Sequence, residues 1–177
     1  MTASLQHGPR HANGRDNIRP ASLTQTGLLP ATSARDIDGV SGIGFRQVWN
    51  LLTFAPTVIA GTWVRLVSTV CLYNAHFYNS TNTDLDEVNI AFRCPAGTYR
   101  LRFNAPTVAN YGKLDTTIDA ALLGTTDLNA AANYLNVVEY TGIVLAEGAH
   151  TLKFKVNGKT GTGYYVGLSF IALERTA

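Results

Sequence analysis

A chain of 177 residues that is 46% apolar has the length of one domain, or of one domain with a tail, and enough nonpolar material for a core. Its 14 Lys and Arg against 12 Asp and Glu leave a formal charge of +2, which excludes nucleic acid as the default partner. The most apolar stretch, Val48 to Val64, is interrupted by Asn50, Pro56 and Gly61, and no charged leader with a long apolar run opens the sequence. The expectation is a soluble protein with no membrane insertion and no conventional export signal.

Residues 1–44 read as an extended arm. None of the two Trp, eight Tyr and seven Phe precedes Phe45, and three of the six prolines fall here among Gly, Ser, Thr and Asn, with isolated leucines in no regular period. Such a segment cannot build a core and needs a partner to order it. Arg10, Arg15 and Arg19 face only Asp16 nearby. Without interleaved aromatics to stack bases, salt bridges and carbonyl hydrogen bonds to a partner protein are the expected use of these guanidiniums. His7 and His11 are four apart, but Gly8, Pro9 and Gly14 oppose the helix that would make them a metal pair. A threefold assembly can still bring three copies of each onto an axis to hold an ion, while the ordinary reading is backbone hydrogen bonding in a docked arm. No metal or cofactor is assigned.

The segment Phe45 to Ile59 is ambiguous, because Phe45, Val48, Trp49 and Leu52 also have helical spacing. From Trp63 the period becomes two. Val88, Ile90 and Phe92 alternate with Glu87, Asn89 and Arg93; Tyr99, Leu101 and Phe103 with Arg100 and Arg102; Leu152, Phe154 and Val156 with Lys153 and Lys155. Turn signals stand at Pro95-Ala96-Gly97, Glu147-Gly148 and Asn157-Gly158. Further strands are predicted at Trp63 to Val70, Tyr73 to Tyr78, Leu114 to Ile118, Tyr140 to Leu145 and Tyr165 to Leu173, with a helical turn or a long loop over Asp127 to Asn136. The last strand is apolar on both faces, which suits a central strand or one packed on a neighbouring subunit. Charged residues at 15% fall below the ~25% of an average soluble domain. Together these features predict an oligomer. The whole is an all-β chain, an antiparallel β-sandwich of jelly-roll type over residues 45–177, preceded by the extended arm.

Candidate chemistry is sparse. The chain has no GxSxG, HExxH or phosphate-binding Gly loop with Lys, so it is read as not an enzyme. His76 and His150 stand alone, and His150, at the head of a strand, is expected in a surface or capping role. Asp84, Asp86 and Glu87 form one acidic cluster, either a calcium or carboxylate-pair site or, as the commoner case, a solvated loop. Cys71 and Cys94 lack zinc or redox spacing and are expected as buried thiols, although they can pair. Tyr164 and Tyr165 follow Gly161-Thr162-Gly163 and offer a platform on which a pyranose stacks its C–H face; as strand-start residues they also suit core and rim. Asn110, Tyr111 and Lys113 make a second polar and aromatic loop.

Two stretches resemble known families. Ala96-Gly97-Thr98-Tyr99-Arg100-Leu101-Arg102-Phe103, Thr117 to Gly124, Gly142 to Phe154 and Val166 to Ile171 resemble, in the same order, the galactose-binding-like jelly roll of many carbohydrate-binding modules, over about residues 85–175. The resemblance implies that architecture and sugar contacts on loop aromatics. The loop that carries paired tryptophans in those families has none here, and Tyr111 and Tyr134 are the nearest substitutes. His7-Gly8-Pro9-Arg10-His11-Ala12-Asn13-Gly14-Arg15-Asp16-Asn17-Ile18-Arg19-Pro20 is similar to a short segment near the start of bacteriophage tail-fibre and related virion proteins, with Arg15 where that pattern has a second Gly.

These resemblances imply a virion location and a short homotrimeric tail fibre. Its arm would be anchored to other virion proteins through His7, Arg10, His11, Arg15, Asp16, Ile18 and Arg19. Its head would bind host surface glycan at Tyr111, Tyr134, Tyr164 and Tyr165. The alternative is a capsid decoration protein that stabilises the phage head.

Overall fold

The computed structural model describes residues 45–67 and 75–177, and all of the structure below concerns these. The expected arm, with the residues predicted to anchor it, Cys71, and parts of the strands expected at 63–70 and 73–78 lie outside the described residues. The described chain contains strands and connecting turns, and no helix among these residues is long and apolar enough to cross a membrane.

Twelve strands follow in order: β1 (Arg46–Asn50), β2 (Thr57–Ala60), β3 (Trp63–Val67), β4 (Ala75–Asn79), β5 (Glu87–Cys94), β6 (Gly97–Asn104), β7 (Gly112–Ile118), β8 (Ala121–Asp127), β9 (Val137–Leu145), β10 (Gly148–Lys159), β11 (Gly167–Leu168) and β12 (Phe170–Arg175). They form a four-stranded sheet β1-β12-β6-β9, a five-stranded sheet β2-β5-β10-β7-β8 and a small sheet β11-β4-β3. Every strand pair in them is antiparallel. This is the jelly-roll sandwich expected from the sequence.

Alternation decides which side chains make the core. Tyr99, Leu101 and Phe103 on β6 turn inward to meet Leu152, Phe154 and Val156 on β10, and all six are buried. Phe103 meets Phe154 edge-to-face at 4.9 Å, and Trp49 on β1 meets Phe92 on β5 in the same manner at 5.9 Å. Each such pair adds about 1 kcal/mol beyond its buried area. Cys94 is buried as a free thiol.

One ambiguity is resolved and three expectations are corrected. Phe45, Val48, Trp49 and Leu52 do not share a helical face: β1 is a strand in which Gln47 and Trp49 are buried and Val48 is exposed. Asn157-Gly158 is not a chain-reversing turn but lies within β10. There the register against β7 shifts between Val156 and Lys159, and Gly158 takes φ +83°, a bulge that glycine permits at little cost. The final apolar run is two strands, β11 and β12, split at the buried Ser169 between different sheets. β12 is apolar on both faces because it is central, paired with both β1 and β6. Finally, β8 is a strand that alternation did not predict, since as a sheet edge it is largely exposed. Residues 128–136 form a loop held by the Thr107–Asn133 bridge.

Candidate functional site

Four connections come together at one end of the sandwich: residues 80–86, 105–111, 128–136 and 160–166. Buried asparagines organise them. Asn79, at the end of β4 with no exposed surface, donates from Nδ2 to Asp86 Oδ2 (3.1 Å) and to the Tyr164 carbonyl (3.0 Å), and its Oδ1 accepts from the Val166 N–H (2.7 Å). Asp86 also accepts from the Thr81 hydroxyl at 2.6 Å. Asn82, at φ +52°, accepts from the Tyr164 N–H at 2.6 Å. On the neighbouring side Asn104 Nδ2 donates to the carbonyls of Tyr134 (3.0 Å) and Asn136 (2.7 Å). A short polar side chain that satisfies buried backbone groups is what an irregular loop needs, because it lacks ladder partners of its own.

This scaffold brings Tyr111, Tyr164 and Tyr165 together. Tyr111 and Tyr165 form a parallel bridge, and the Gly112 N–H donates to the Tyr165 carbonyl at 2.8 Å. Any side chain at position 112 would press on the Tyr164 backbone, so glycine lets the two segments close up. The Lys159 ammonium lies 4.3 Å from the centroid of the Tyr164 ring and donates to the Thr162 carbonyl at 3.2 Å. Asn110 is exposed beside them, and its carbonyl packs against Gly163. Tyr134, 36% exposed, sits on the 128–136 loop and is tied through its carbonyl to Asn104.

His76 extends the aromatic group inward. It is buried on β4, its Nε2 lies 3.2 Å from the Tyr111 hydroxyl, and its ring meets Tyr78 edge-on at 5.3 Å. A Cβ at position 167 would fall 2.3 Å from that Nε2, so the glycine there makes room for the imidazole. Burial pushes the His76 pKa below its ordinary value, which keeps the ring neutral near pH 7. Sequence reasoning set His76 aside as solitary and missed Asn79, Asn82 and Lys159. Their partners lie far along the chain, and no local spacing signals them.

The acidic cluster divides into three separate tasks. Asp86 is buried in the asparagine network, and Glu87 pairs with Lys153 at 3.1 Å. Asp84 Oδ1 accepts from the Gly158 N–H at 2.8 Å. Among the described residues, no group of three His, Cys, Asp or Glu side chains is placed to hold a metal ion.

His150 corrects an expectation at the opposite end of the sandwich. It is buried rather than on the surface. Its Nδ1 is 2.9 Å from Asp119 Oδ2 and its Nε2 is 2.9 Å from the Ala146 carbonyl, so both ring nitrogens face acceptors. Burial disfavours the charged ring, but the bonds to Asp119 and Ala146 outweigh it, and the His150 pKa lies above its ordinary value. The hydrogen bond from His150 holds the Asp119 carboxyl below its own.

No protein-family model matches the chain, and no curated protein does. Solved structures do. The chain resembles the CBM36-1 domain of a multidomain xylanase from the hindgut metagenome of Trinervitermes trinervoides, with a TM-score of 0.56 and 12% identity over 75% of this chain and 98% of that one. It is similar to a carbohydrate-binding module CBM36 in complex with calcium and xylotriose, with a TM-score of 0.53 and 16% identity over 72% of this chain and 98% of that one. It also resembles a part of Paenibacillus xanthan lyase, with a TM-score of 0.60 and 18% identity over 73% of this chain but 13% of the lyase. At such identities the likeness is one of fold: the sandwich is a jelly roll of the carbohydrate-binding-module kind.

Proposed function

We propose that the sandwich is a non-catalytic, glycan-binding head that uses Tyr111, Tyr164 and Tyr165, with Asn110 and Lys159 as polar partners and Tyr134 at the margin. The observation that carries this reading is the convergence of three tyrosines, from two separated segments, on one loop end of a carbohydrate-binding-module fold. Aromatic faces stack on the apolar faces of sugar rings, and amide and ammonium donors address the hydroxyls. A glycan array probed with the wild type and with Tyr164→Ala and Tyr165→Ala tests it. Binding to a defined glycan class that both variants lose supports the reading, and equal signals from all three proteins refute it.

The same proposal places the head in a virion, as a short trimeric tail fibre whose arm, residues 1–44, engages other particle proteins. Its support is the His7 to Pro20 segment and its likeness to the start of phage fibre proteins. Multiple copies on a particle would turn weak single-site sugar contacts into firm attachment. Serum against residues 45–177, applied to intact particles under the electron microscope, is expected to label the tail or its tip. Label over the capsid would move the protein to a decoration role, and label on no particle would end the virion reading.

A further inference from the structure

At the end of the sandwich opposite the tyrosines the chain changes sheets. β5 ends at Cys94 in the five-stranded sheet and β6 begins at Gly97 in the four-stranded one; β9 ends at Leu145 in the four-stranded sheet and β10 begins at Gly148 in the five-stranded one. The second crossover, Ala146-Glu147, is exposed. His150, buried on β10, stands between this crossover and the β7–β8 turn, with Nδ1 2.9 Å from Asp119 Oδ2 and Nε2 2.9 Å from the Ala146 carbonyl. Asp119 takes φ +53° in that turn and is tied to β10 twice more: its N–H donates to the Thr151 carbonyl at 2.8 Å, and its Oδ1 accepts from the Thr151 N–H at 2.9 Å.

Neither partner of the ring can donate. A carboxylate and a carbonyl offer lone pairs alone, so both ring nitrogens are satisfied only when both carry protons. A neutral ring has one proton. Kept on Nδ1, it preserves the bond to the Asp119 carboxylate and turns the Nε2 lone pair on the Ala146 carbonyl; kept on Nε2, it sets a lone pair against a full negative charge, which costs more. Loss of a proton therefore breaks the Ala146 contact first. The other groups around the ring leave this choice unaltered. From β5 the Phe92 ring lies 5.4 Å away, and the Cys94 thiol, whose pKa burial pushes up so that it stays protonated, donates to the same Ala146 carbonyl at 4.0 Å. From β6 Tyr99 directs its hydroxyl to the Pro95 carbonyl at 2.6 Å. Arg93, opposite Ala149 in the strand pair, and Glu147 in the crossover are exposed, where solvent screens them.

We propose that the doubly protonated His150 ring is a proton-operated latch: it pins the β9–β10 crossover to the β7–β8 turn, and its deprotonation as pH rises frees Ala146-Glu147 and loosens this end of the sandwich. The crossover is the part that moves. Asp119 keeps both of its bonds to Thr151 whatever the charge on the ring, whereas the Ala146 carbonyl is left, among the described residues, with the long contact to the Cys94 thiol. Leu145, buried just before the crossover, loosens with it, and Cys94 loses its cover. The latch is closed on the acid side of the His150 titration and open on the alkaline side. It stands apart from the glycan reading, since the tyrosines lie at the other end.

Two measurements on the full chain, from about pH 5 to about pH 9, test it. The first is NMR of the 15N-labelled protein, following the His150 ring nitrogens together with the Glu147 and Gly148 amides. The neutral ring is expected to keep its proton on Nδ1, and the crossover amides to shift with the midpoint of the ring. The second is alkylation of Cys94 by iodoacetamide, read by peptide mass spectrometry so that Cys71 is scored separately, and normalised to the unfolded chain at the same pH to cancel thiolate chemistry. Normalised reactivity should rise about tenfold across the His150 titration, as expected for the loss of one charge-assisted hydrogen bond. His150→Gln, which does not titrate, should give a flat profile. A neutral ring protonated on Nε2, crossover amides that ignore the titration, a flat wild-type reactivity profile, or an equal step in His150→Gln each overturns the latch. The wild-type measurements decide the matter by themselves should that variant fail to fold.

Discussion

The asparagine network under the tyrosines makes a quantitative prediction. Asn79→Ala removes three hydrogen bonds at a position with no exposed surface: those to Asp86 Oδ2, the Tyr164 carbonyl and the Val166 N–H. The Val166 donor and the Tyr164 acceptor lose their side-chain partner, and Asp86 keeps its bond from Thr81. Stranding a buried polar group costs about 1–3 kcal/mol, so the three losses together should come to about 4 kcal/mol. At roughly 4 °C per kcal/mol this lowers the melting temperature by about 15 °C.

Asn79→Asp separates the bonding from the volume. Its carboxyl can still accept from Val166, but it faces the Asp86 carboxylate across 3.1 Å. Burial and the like charge raise the pKa of the new group in the folded state, so the folded protein binds its proton more tightly than the unfolded chain does. The penalty should therefore be small below pH ~4 and grow as the pH rises. Differential scanning calorimetry at several pH values reads both variants. Melting within 2 °C of wild type for the alanine variant, or a pH-independent deficit for the aspartate variant, would refute the reasoning.

Two further predictions use the same calorimetry. The His150–Asp119 pair should shape the pH dependence. His150's raised folded pKa makes its contribution fully present below the unfolded value of about 6.5 and lost as pH rises through the folded one; Asp119's lowered pKa makes its contribution present above about 3.9 and lost as pH falls through the folded one. Stability should thus be broadest between those limits, and Asp119→Asn should flatten both declines; a variant profile parallel to wild type would show that the pair contributes nothing. Gly167→Ala places a methyl 2.3 Å from His76 Nε2 and should cost about 1–3 kcal/mol, moving the imidazole beneath Tyr111 and weakening glycan capture. An unchanged melting temperature would contradict that close packing.

The architecture was legible wherever one face of a strand is buried and the other wet, as in β5, β6 and β10, because burial there forces alternation into the residues themselves. It was illegible in β8, where an exposed edge imposes no pattern on Ala121 to Asp127, and at Asn157-Gly158, where a turn dipeptide serves as a bulge within a long strand. Val48 left its segment ambiguous for a related reason, since an exposed valine on an edge strand completes a helical period by accident. In the candidate site the neighbouring Tyr164 and Tyr165 drew notice by adjacency and Tyr111 by its place in a loop. Nothing local could pair Tyr111 with Tyr165, or bring Asn79 and His76 beneath them, because those contacts are made by sheet topology across distant segments.

The most direct measurement is a titration of the 15N-labelled protein with a panel of oligosaccharides, following backbone amide shifts. The account predicts that a binding sugar perturbs residues around His76 to Asn82, Val108 to Gly112 and Lys159 to Gly167, and leaves the Asp119 and His150 end unmoved. Shifts centred on that opposite end or on a sheet face, or no shift with any sugar, would contradict it.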